Sequence, residues 1–288
     1  MLARSKVQLT VILPVYGNWT DTMATLGCLA AQDCDEFRVL VADDGSPTEA
    51  PEEMHGFGFV EYSRGSNLGF AGNCNRAAGL AIAGGATHLL FLNNDTEVGE
   101  GFIGGWLRFI EERPAVIASP HIYWFDRPES VWYSGGRFGL LTPFVRLSRE
   151  YREVQMVDIV CGCALVVPTV AWLRLGGFDL AYAVYFEDFD LSLRARALGI
   201  EVVVAPGDEL KVRHKISGSF RGTGAWKQQY FLLASRIRFV RRYYPGYLQP
   251  LVYLLVVAHL GGVFLQNVPQ YPTPKRLWRA VREGMVGG

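Results

Sequence analysis

The sequence predicts an α/β fold built on a mostly parallel central sheet flanked by helices, and three observations carry that reading. Strand-like and helix-like segments alternate through the first 120 residues, the pattern of successive right-handed βαβ units. The strand-like segments are continuous apolar runs, as strands covered on both faces require. Polar clusters follow one strand after another: Asp43 and Asp44, then Asn67, then Asn93, Asn94 and Asp95. Ligands of open α/β sheets bind beyond the carboxyl ends of the strands, so these clusters should converge on one edge.

Taken in order, VQLTVILPVY (7–16) reads as a first buried strand. Arg4 and Lys6 before it faintly mimic a signal peptide, but a Pro-Val-Tyr-Gly-Asn turn stands where a small-residue cleavage site would be needed. A helix is expected over 20–32, a strand over 37–42 and a short strand over 57–62. A helix should then run to about residue 83, a strand over 88–92, a helix over 102–112 and a strand over 116–119. The middle is less regular, with strands expected over 131–141 and 157–167. A helix over 187–199 follows, stopped by Gly199. This divides the chain into a domain over 1–223, with halves meeting near residue 120, and an extension over 224–288.

At 288 residues, 50% apolar and 13% aromatic, the chain can bury a sizeable core and is not of disordered composition. Its formal charge sums to zero but is unevenly spread. Residues 210–282 hold 13 of the 28 basic residues and no acid, while 27 of the 28 acids lie in residues 1–209. Such asymmetry suits a nucleic-acid or membrane contact. Here the basic stretch is interleaved with long apolar runs, which favours a membrane surface over nucleic acid. The five cysteines have no zinc-finger spacing, and Cys161-Gly162-Cys163 reads as small apolar packing; reduced thiols and a cytoplasmic location fit.

The extension opens with a helix expected over 225–244, broken by Pro245-Gly246. The apolar stretch 251–268 would span roughly 27 Å as a helix at about 1.5 Å per residue, the lower limit for crossing a bilayer. His259, Gln266, Asn267 and the Gly261-Gly262 pair argue for an in-plane or re-entrant segment, or for a helix packed on the domain. Lys275, Arg276, Arg279 and Arg282, with Leu277 and Trp278, add a basic cluster suited to the anionic inner face of a cell membrane.

Four groups of residues could do chemistry. Asp43-Asp44-Gly45-Ser46 ends a buried strand, where a carboxylate can accept from a pyrimidine N–H or simply shape a turn. Asp95, in Asn93-Asn94-Asp95, offers a hard oxygen ligand; one Asp plus a diphosphate would suffice to recruit Mg²⁺ or Mn²⁺, and an Asx turn is the plain alternative. Glu187 and Asp188 open a helix, where acids are favoured by the macrodipole, and either could act as a general base on a hydroxyl. His214 sits among Lys211, Arg213, Lys215 and Arg221 in a stretch made deformable by Gly218, Gly222 and Gly224, as neutralising a departing diphosphate would require.

The order of these motifs resembles the family 2 glycosyltransferases, which have the GT-A fold. The resemblance covers about residues 7–243: VILPVYGN (11–18), VADDGS (41–46), NLGFAGNCNRA (67–77), FLNNDTEV (91–98), the stretch from Cys161 to LGGFD (175–179), FEDFDLSLRARALG (186–199) and H-x-x-S-G-S (214–219). The NLGFAGNCN and NND segments look most like the rhamnosyltransferase-type branch, which often uses dTDP-L-rhamnose. The resemblance implies that Pro14, Val15 and Tyr16 line the nucleobase pocket, with Asp43 on the base. Asp44, Asn67, Gly69, Ala71, Asn75, Asn93 and Asn94 would shape the donor pocket. Asp95 matches the last Asp of the family's Asp-X-Asp metal motif, with Asn93 in place of the first, and His214 would be a further ligand to Mg²⁺ or Mn²⁺. Asp188 would be the base, with Glu187 orienting it or meeting the acceptor. The reaction implied is inverting, from a nucleoside-diphosphate sugar to a glycan or lipid-linked acceptor in cell-surface polysaccharide synthesis.

Two rivals differ in class. A dinucleotide-dependent oxidoreductase needs GxGxxG directly after the first strand, where this chain has PVYGNWTD. A non-catalytic sugar-nucleotide-binding scaffold would need no base, and the chain keeps Asp95, Asp188 and His214 together. A UDP-sugar donor is the alternative within the same chemistry. Nothing in the sequence sets the number of copies.

Overall fold

The computed structural model describes residues 7–139, 145–182, 184–215, 225–256 and 274–286. The first half runs β1 (Leu9–Val15), α1 (Trp19–Ala30), β2 (Phe37–Asp43), β3 (Val60–Arg64), α2 (Gly69–Ala83), β4 (His88–Leu92), β5 (Thr96–Val98), α3 (Phe102–Glu112) and β6 (Ile117–Pro120). There follow β7 (Ile122–Trp124), β8 (Val131–Tyr133), β9 (Gly136–Arg137), β10 (Val145–Arg146), β11 (Gln155–Met156), β12 (Ala164–Pro168) and α4 (Thr169–Leu175). The chain continues with α5 (Glu187–Ala197), β13 (Val202–Ala205), β14 (Val212–His214), α6 (Ala225–Tyr243), helical residues 249–256 and α7 (Pro274–Val286).

The central sheet has eight strands in the order β11-β13-β6-β12-β4-β1-β2-β3. β1 pairs in parallel with both β2 and β4, so β1, β2 and β4 present their carboxyl ends on one edge. β12 lies antiparallel between β4 and β6, an antiparallel insert in an otherwise mostly parallel sheet. A smaller sheet, β5-β14-β7-β8, stands beside it.

Side chains alternate between two apolar layers, as successive residues of a strand must. Val11, Leu13 and Val15 pack with Leu26, Leu29, Phe102 and Trp106 from α1 and α3. Ile12, Leu40 and Ala42 pack with Ala71, Cys74 and Ala78 of α2, and with Trp172 and Leu191 of α4 and α5. Burial on both faces explains the unbroken apolar runs.

Several boundaries differ from expectation. The third strand is Val60–Arg64, beginning three residues later than expected, after the 3₁₀ turn Glu52–Gly56. Of the stretch 157–167 only Ala164 onward is strand, because residues before it turn to meet α5; of 131–141, two short strands form and the last residues lie outside those described. Of the apolar stretch 251–268, only 251–256 is described. Among the described residues no helix is long and apolar enough to cross a membrane.

Candidate functional site

At the carboxyl edge, β1 runs out through Gly17 and Asn18, both left-handed at φ +68° and +54°. Pro14 and Val15 are buried, whereas Tyr16 is 51% exposed. The loop after β2 is tied to this exit: the Asp44 amide donates to the Val15 carbonyl at 2.8 Å and the Gly17 amide to Ser46 Oγ at 2.7 Å. Gly45 is left-handed, and a Cβ there would sit 3.2 Å from the Asn67 amide nitrogen, so the motif needs glycine at this close approach.

The two aspartates part company. Asp43 has no exposed surface; its Oδ1 accepts from the Ser46 amide and hydroxyl at 2.8 and 2.5 Å, and its Oδ2 from the Tyr62 hydroxyl at 2.8 Å. Burial, followed by the Asp43 carboxylate, pushes the Tyr62 phenol up to about 12, which keeps it a donor. These bonds hold the loop closed and leave Oδ2 with a lone pair beyond the one that Tyr62 uses. Asp44 accepts from the Leu68 amide at 2.7 Å and binds the start of α2 to the loop, and burial raises its pKa.

In α2 the motif divides similarly. Asn67 is exposed, Gly69 takes φ +74° at the helix start, and Ala71 is buried. Asn75 is committed elsewhere: its amide nitrogen donates to the Phe178 carbonyl at 2.8 Å and its Oδ1 accepts from the Phe178 amide at 2.9 Å. It therefore clamps the Gly176-Gly177 turn to α2 instead of facing a donor.

The strand register assembles the metal-type residues. β14 pairs with β5 so that His214 stands opposite Thr96, which brings His214 Nε2 to 3.0 Å from Asp95 Oδ1 and 3.4 Å from the Asn93 amide nitrogen. His214 Nδ1 is buried without a hydrogen-bond partner, and the Trp132 ring lies 5.5 Å from the imidazole. Asn94 is buried and donates to Thr22 Oγ1 of α1 at 2.8 Å. Among the described residues no group of three His, Cys, Asp or Glu is arranged to hold an ion. The Asp95 carboxylate and the His214 Nε2 facing it are a donor pair that fits a divalent cation taking its other ligands from a diphosphate.

The acidic pair sits one strand away. Tyr185 and Phe186 are both left-handed, at φ +67° and +71°, an unfavourable conformation for bulky residues, and they turn the chain into α5. Glu187, Asp188 and Asp190 fill its first turn and all are buried. Asp188 Oδ2 accepts from the Gly162 amide at 2.7 Å, and Oδ1 from the Phe189 amide at 2.8 Å. Burial lifts its pKa to about 6 against those amides. Burial, reinforced by the neighbouring Asp188 charge, pushes Glu187 well above the usual carboxylate range, and its Oε2 has no partner. The turn 161–163 spans the two stations: the Gly162 amide holds Asp188, and the Cys163 carbonyl accepts from the Asn93 amide at 2.8 Å.

Sequence reasoning missed the support beneath α5. Asp190 is fully buried and meets Arg194 Nε at 2.6 Å, Arg242 Nη1 at 3.2 Å and the Tyr243 hydroxyl at 2.6 Å. Arg194 also donates to the Leu175 and Gly177 carbonyls. The i,i+4 spacing of Asp190 and Arg194 was the available signal; the reach of Arg242 from another helix had none. The basic stretch also differs from expectation. Lys211 pairs with Glu150 and Asp208, Arg213 with Glu97 and Lys215 with Asp21, so these three charges are already matched. Arg221 and the three glycines lie outside the described residues.

The family model described as Glycosyl transferase family 2 matches residues 10–174. An uncharacterized protein of Mycobacterium bovis is 30% identical over 205 residues, covering 67% of this chain and 69% of that protein. Rhamnosyltransferase WbbL of Escherichia coli is 22% identical over 212 residues, covering 68% and 80%. The N-acetylglucosaminyl-diphospho-decaprenol L-rhamnosyltransferase of Mycobacterium tuberculosis is 27% identical over 230 residues, covering 69% and 75%. Among solved structures, GalNAc-T7 with UDP, GalNAc and Mn²⁺ superposes with a TM-score of 0.60 at 14% identity, over 79% of this chain and about half (51%) of that one. S. aureus TarS 1-349 in complex with UDP gives 0.56 at 18% identity, over 81% and 65%. Both share the fold.

Proposed function

Because the chain belongs to glycosyl transferase family 2, we propose that it moves a sugar from a nucleoside-diphosphate donor to a hydroxyl of a glycan or lipid-linked acceptor, with L-rhamnose from dTDP-L-rhamnose as the donor. The observation that carries the reading is the turn 161–163, which holds a buried carboxylate through Gly162 and, through Cys163, the strand end bearing Asn93 and Asp95. A base and a diphosphate station on either side of one short turn suit a single in-line displacement with inversion. The rhamnosyl donor is favoured by two relatives that are themselves rhamnosyltransferases. A UDP-sugar is the second donor reading, favoured only by the shared fold with UDP-bound structures.

Tyr16 would face the base over the floor of Pro14 and Val15, with Asp43 holding the loop and Asp44 and Asn67 at its rim. Gly69 and Ala71, at the start of α2, leave room for the diphosphate. Asp95 and His214 would hold Mg²⁺ or Mn²⁺, with Asn93 beside them; a bound cation supplies charge neutralisation to the leaving diphosphate. Asp188 takes the acceptor proton as the hydroxyl attacks. With its pKa near 6 it is a stronger base than an ordinary carboxylate, yet still ionised at neutral pH. The Gly162 and Phe189 amides fix its orientation, and Glu187, whose acid form burial favours, orients it or meets the acceptor. Free cysteines suit the cytoplasmic side, where sugar nucleotides are made.

The test is calorimetric titration with dTDP, UDP and GDP, each with and without Mn²⁺, followed by transfer from the matching sugar nucleotide. Manganese-dependent binding of dTDP supports the rhamnosyl reading. Selective binding of UDP moves the donor to a UDP-sugar, and binding of none favours a non-catalytic scaffold.

A further inference from the structure

The helical residues 249–256 are apolar on more than one side. Val252 and Val256 point inward and pack with Leu233, Ile237 and Val240 of α6 and with Ala280 of α7. Leu251, Leu254 and Leu255 point outward, and with Tyr247 just before them they are 47–78% exposed. The core accounts for the first set and leaves the second without a reason, since a helix apolar on both sides ordinarily lies buried on both.

α7 shows the same division with charge added. Its inner side is small: a Cβ on Gly284 would lie 2.7 Å from the Ala234 carbonyl oxygen, so α6 and α7 approach backbone to backbone. Its outer side carries Trp278, Arg279, Arg282 and Met285, all exposed. Tryptophan and arginine on the outer face of a short, charge-rich helix is the composition of a helix lying in a bilayer interface. No acid occurs between residues 210 and 282; the one acid of α7, Glu283, pairs with Arg279 at 3.1 Å, which leaves Arg282 and the rest of the basic stretch in excess toward an anionic surface. A second copy of the chain, docked face to face, would set these arginines against their own copies.

From these observations we infer that the C-terminal unit docks on an anionic lipid bilayer, with Tyr247, Leu251, Leu254 and Leu255 entering the acyl boundary and Trp278, Arg279 and Arg282 meeting headgroup phosphates. The inference deepens the proposed transfer: it rests on that reading for a lipid-linked acceptor, and on exposed side chains alone for the docking. The same unit holds Arg242 and Tyr243 against Asp190, so a docked enzyme presents the acidic pair at a set distance from the bilayer.

The test is co-sedimentation of the full chain with vesicles of phosphatidylcholine alone and with one third phosphatidylglycerol, without nucleotide or sugar. Binding to the anionic vesicles only, weakening with salt, is expected. Leu254→Glu combined with Leu255→Glu should lower the bound partition at least tenfold. Arg279→Gln with Arg282→Gln should lower it roughly fivefold per charge on anionic vesicles. Circular dichroism melting at the unaltered midpoint shows the variants folded. No vesicle binding, equal binding to neutral vesicles, or full binding by the leucine variant overturns the inference. So does a dimer in analytical ultracentrifugation that the leucine variant converts to monomer. Because no nucleotide is present, a failure here leaves the titration of the proposed donor site unaffected.

Discussion

The Gly162 amide lies 2.7 Å from Oδ2 of Asp188, and a Cβ at residue 162 would come within 3.3 Å of the Asp188 Cβ. The bond and the close approach are one feature, since only a glycine lets the turn reach the carboxylate. Gly162→Ala should therefore displace Asp188 by a few tenths of an ångström and lower kcat about tenfold with KM for the donor little changed. Steady-state kinetics check this; a change in donor KM alone would place the turn at the donor.

Asp188→Asn should abolish transfer while leaving donor binding nearly intact, read by turnover and calorimetry together. A loss of donor affinity as large as the loss of turnover would reject the base assignment.

The raised pKa of Asp188 has two consequences of opposite sign. As a base it must be ionised, so kcat/KM should fall tenfold per pH unit below about 6. For stability, folding raises its pKa from 3.8 to about 6, so the folded chain binds this proton more tightly than the unfolded one. Its contribution is most favourable at low pH, declines as pH rises through that window, and stays unfavourable above it. Relative to the parent, Asp188→Asn should thus melt comparatively higher at pH 7.5 than at pH 5, as scanning calorimetry would show.

His214→Ala and Asp95→Ala should each weaken Mn²⁺-dependent donor binding by roughly 10–100-fold, the scale for losing a metal-site contact. Titrations with and without the metal separate this from general damage; an unchanged metal response in both variants would remove the pair from the site.

Tyr243→Phe takes a donor from the buried Asp190 carboxylate and should cost about 1–2 kcal/mol, or roughly 2–4 °C in melting temperature per kcal/mol. Because Asp190 anchors the first turn of α5, which also carries Asp188, a movement of that turn should shift the acid limb of the pH profile. A lower melting temperature with an unmoved limb would make the contact purely structural.

Much of the fold was legible because strands buried on both faces must be apolar nearly throughout, and 9–15 and 88–92 are, Thr10 and His88 apart. β12 was not legible as an antiparallel insert: ALVVP reads the same in either direction, and its partner is chosen by the turn that precedes it. In the site, the position of His214 beside Asp95 depends on a pairing between strands more than a hundred residues apart, which only the motif order hinted at. Asp43 and Asn94 looked like ligand contacts because they are polar residues at a strand end. Both also hold the fold, through Ser46, Tyr62 and Thr22, and nothing in the local sequence reveals that structural role.

The antiparallel place of β12 also has a consequence in time. β4 is flanked by β1 on one side, made early, and by β12 on the other, made late. About 70 residues separate Leu92 from Ala164, so at about 5–20 residues per second the ribosome leaves one edge of HLLFL unpaired for several seconds. During synthesis that edge is a bare apolar template for any neighbouring strand, and the nascent chain depends on a chaperone's cover, or on the speed of its own elongation, until β12 arrives.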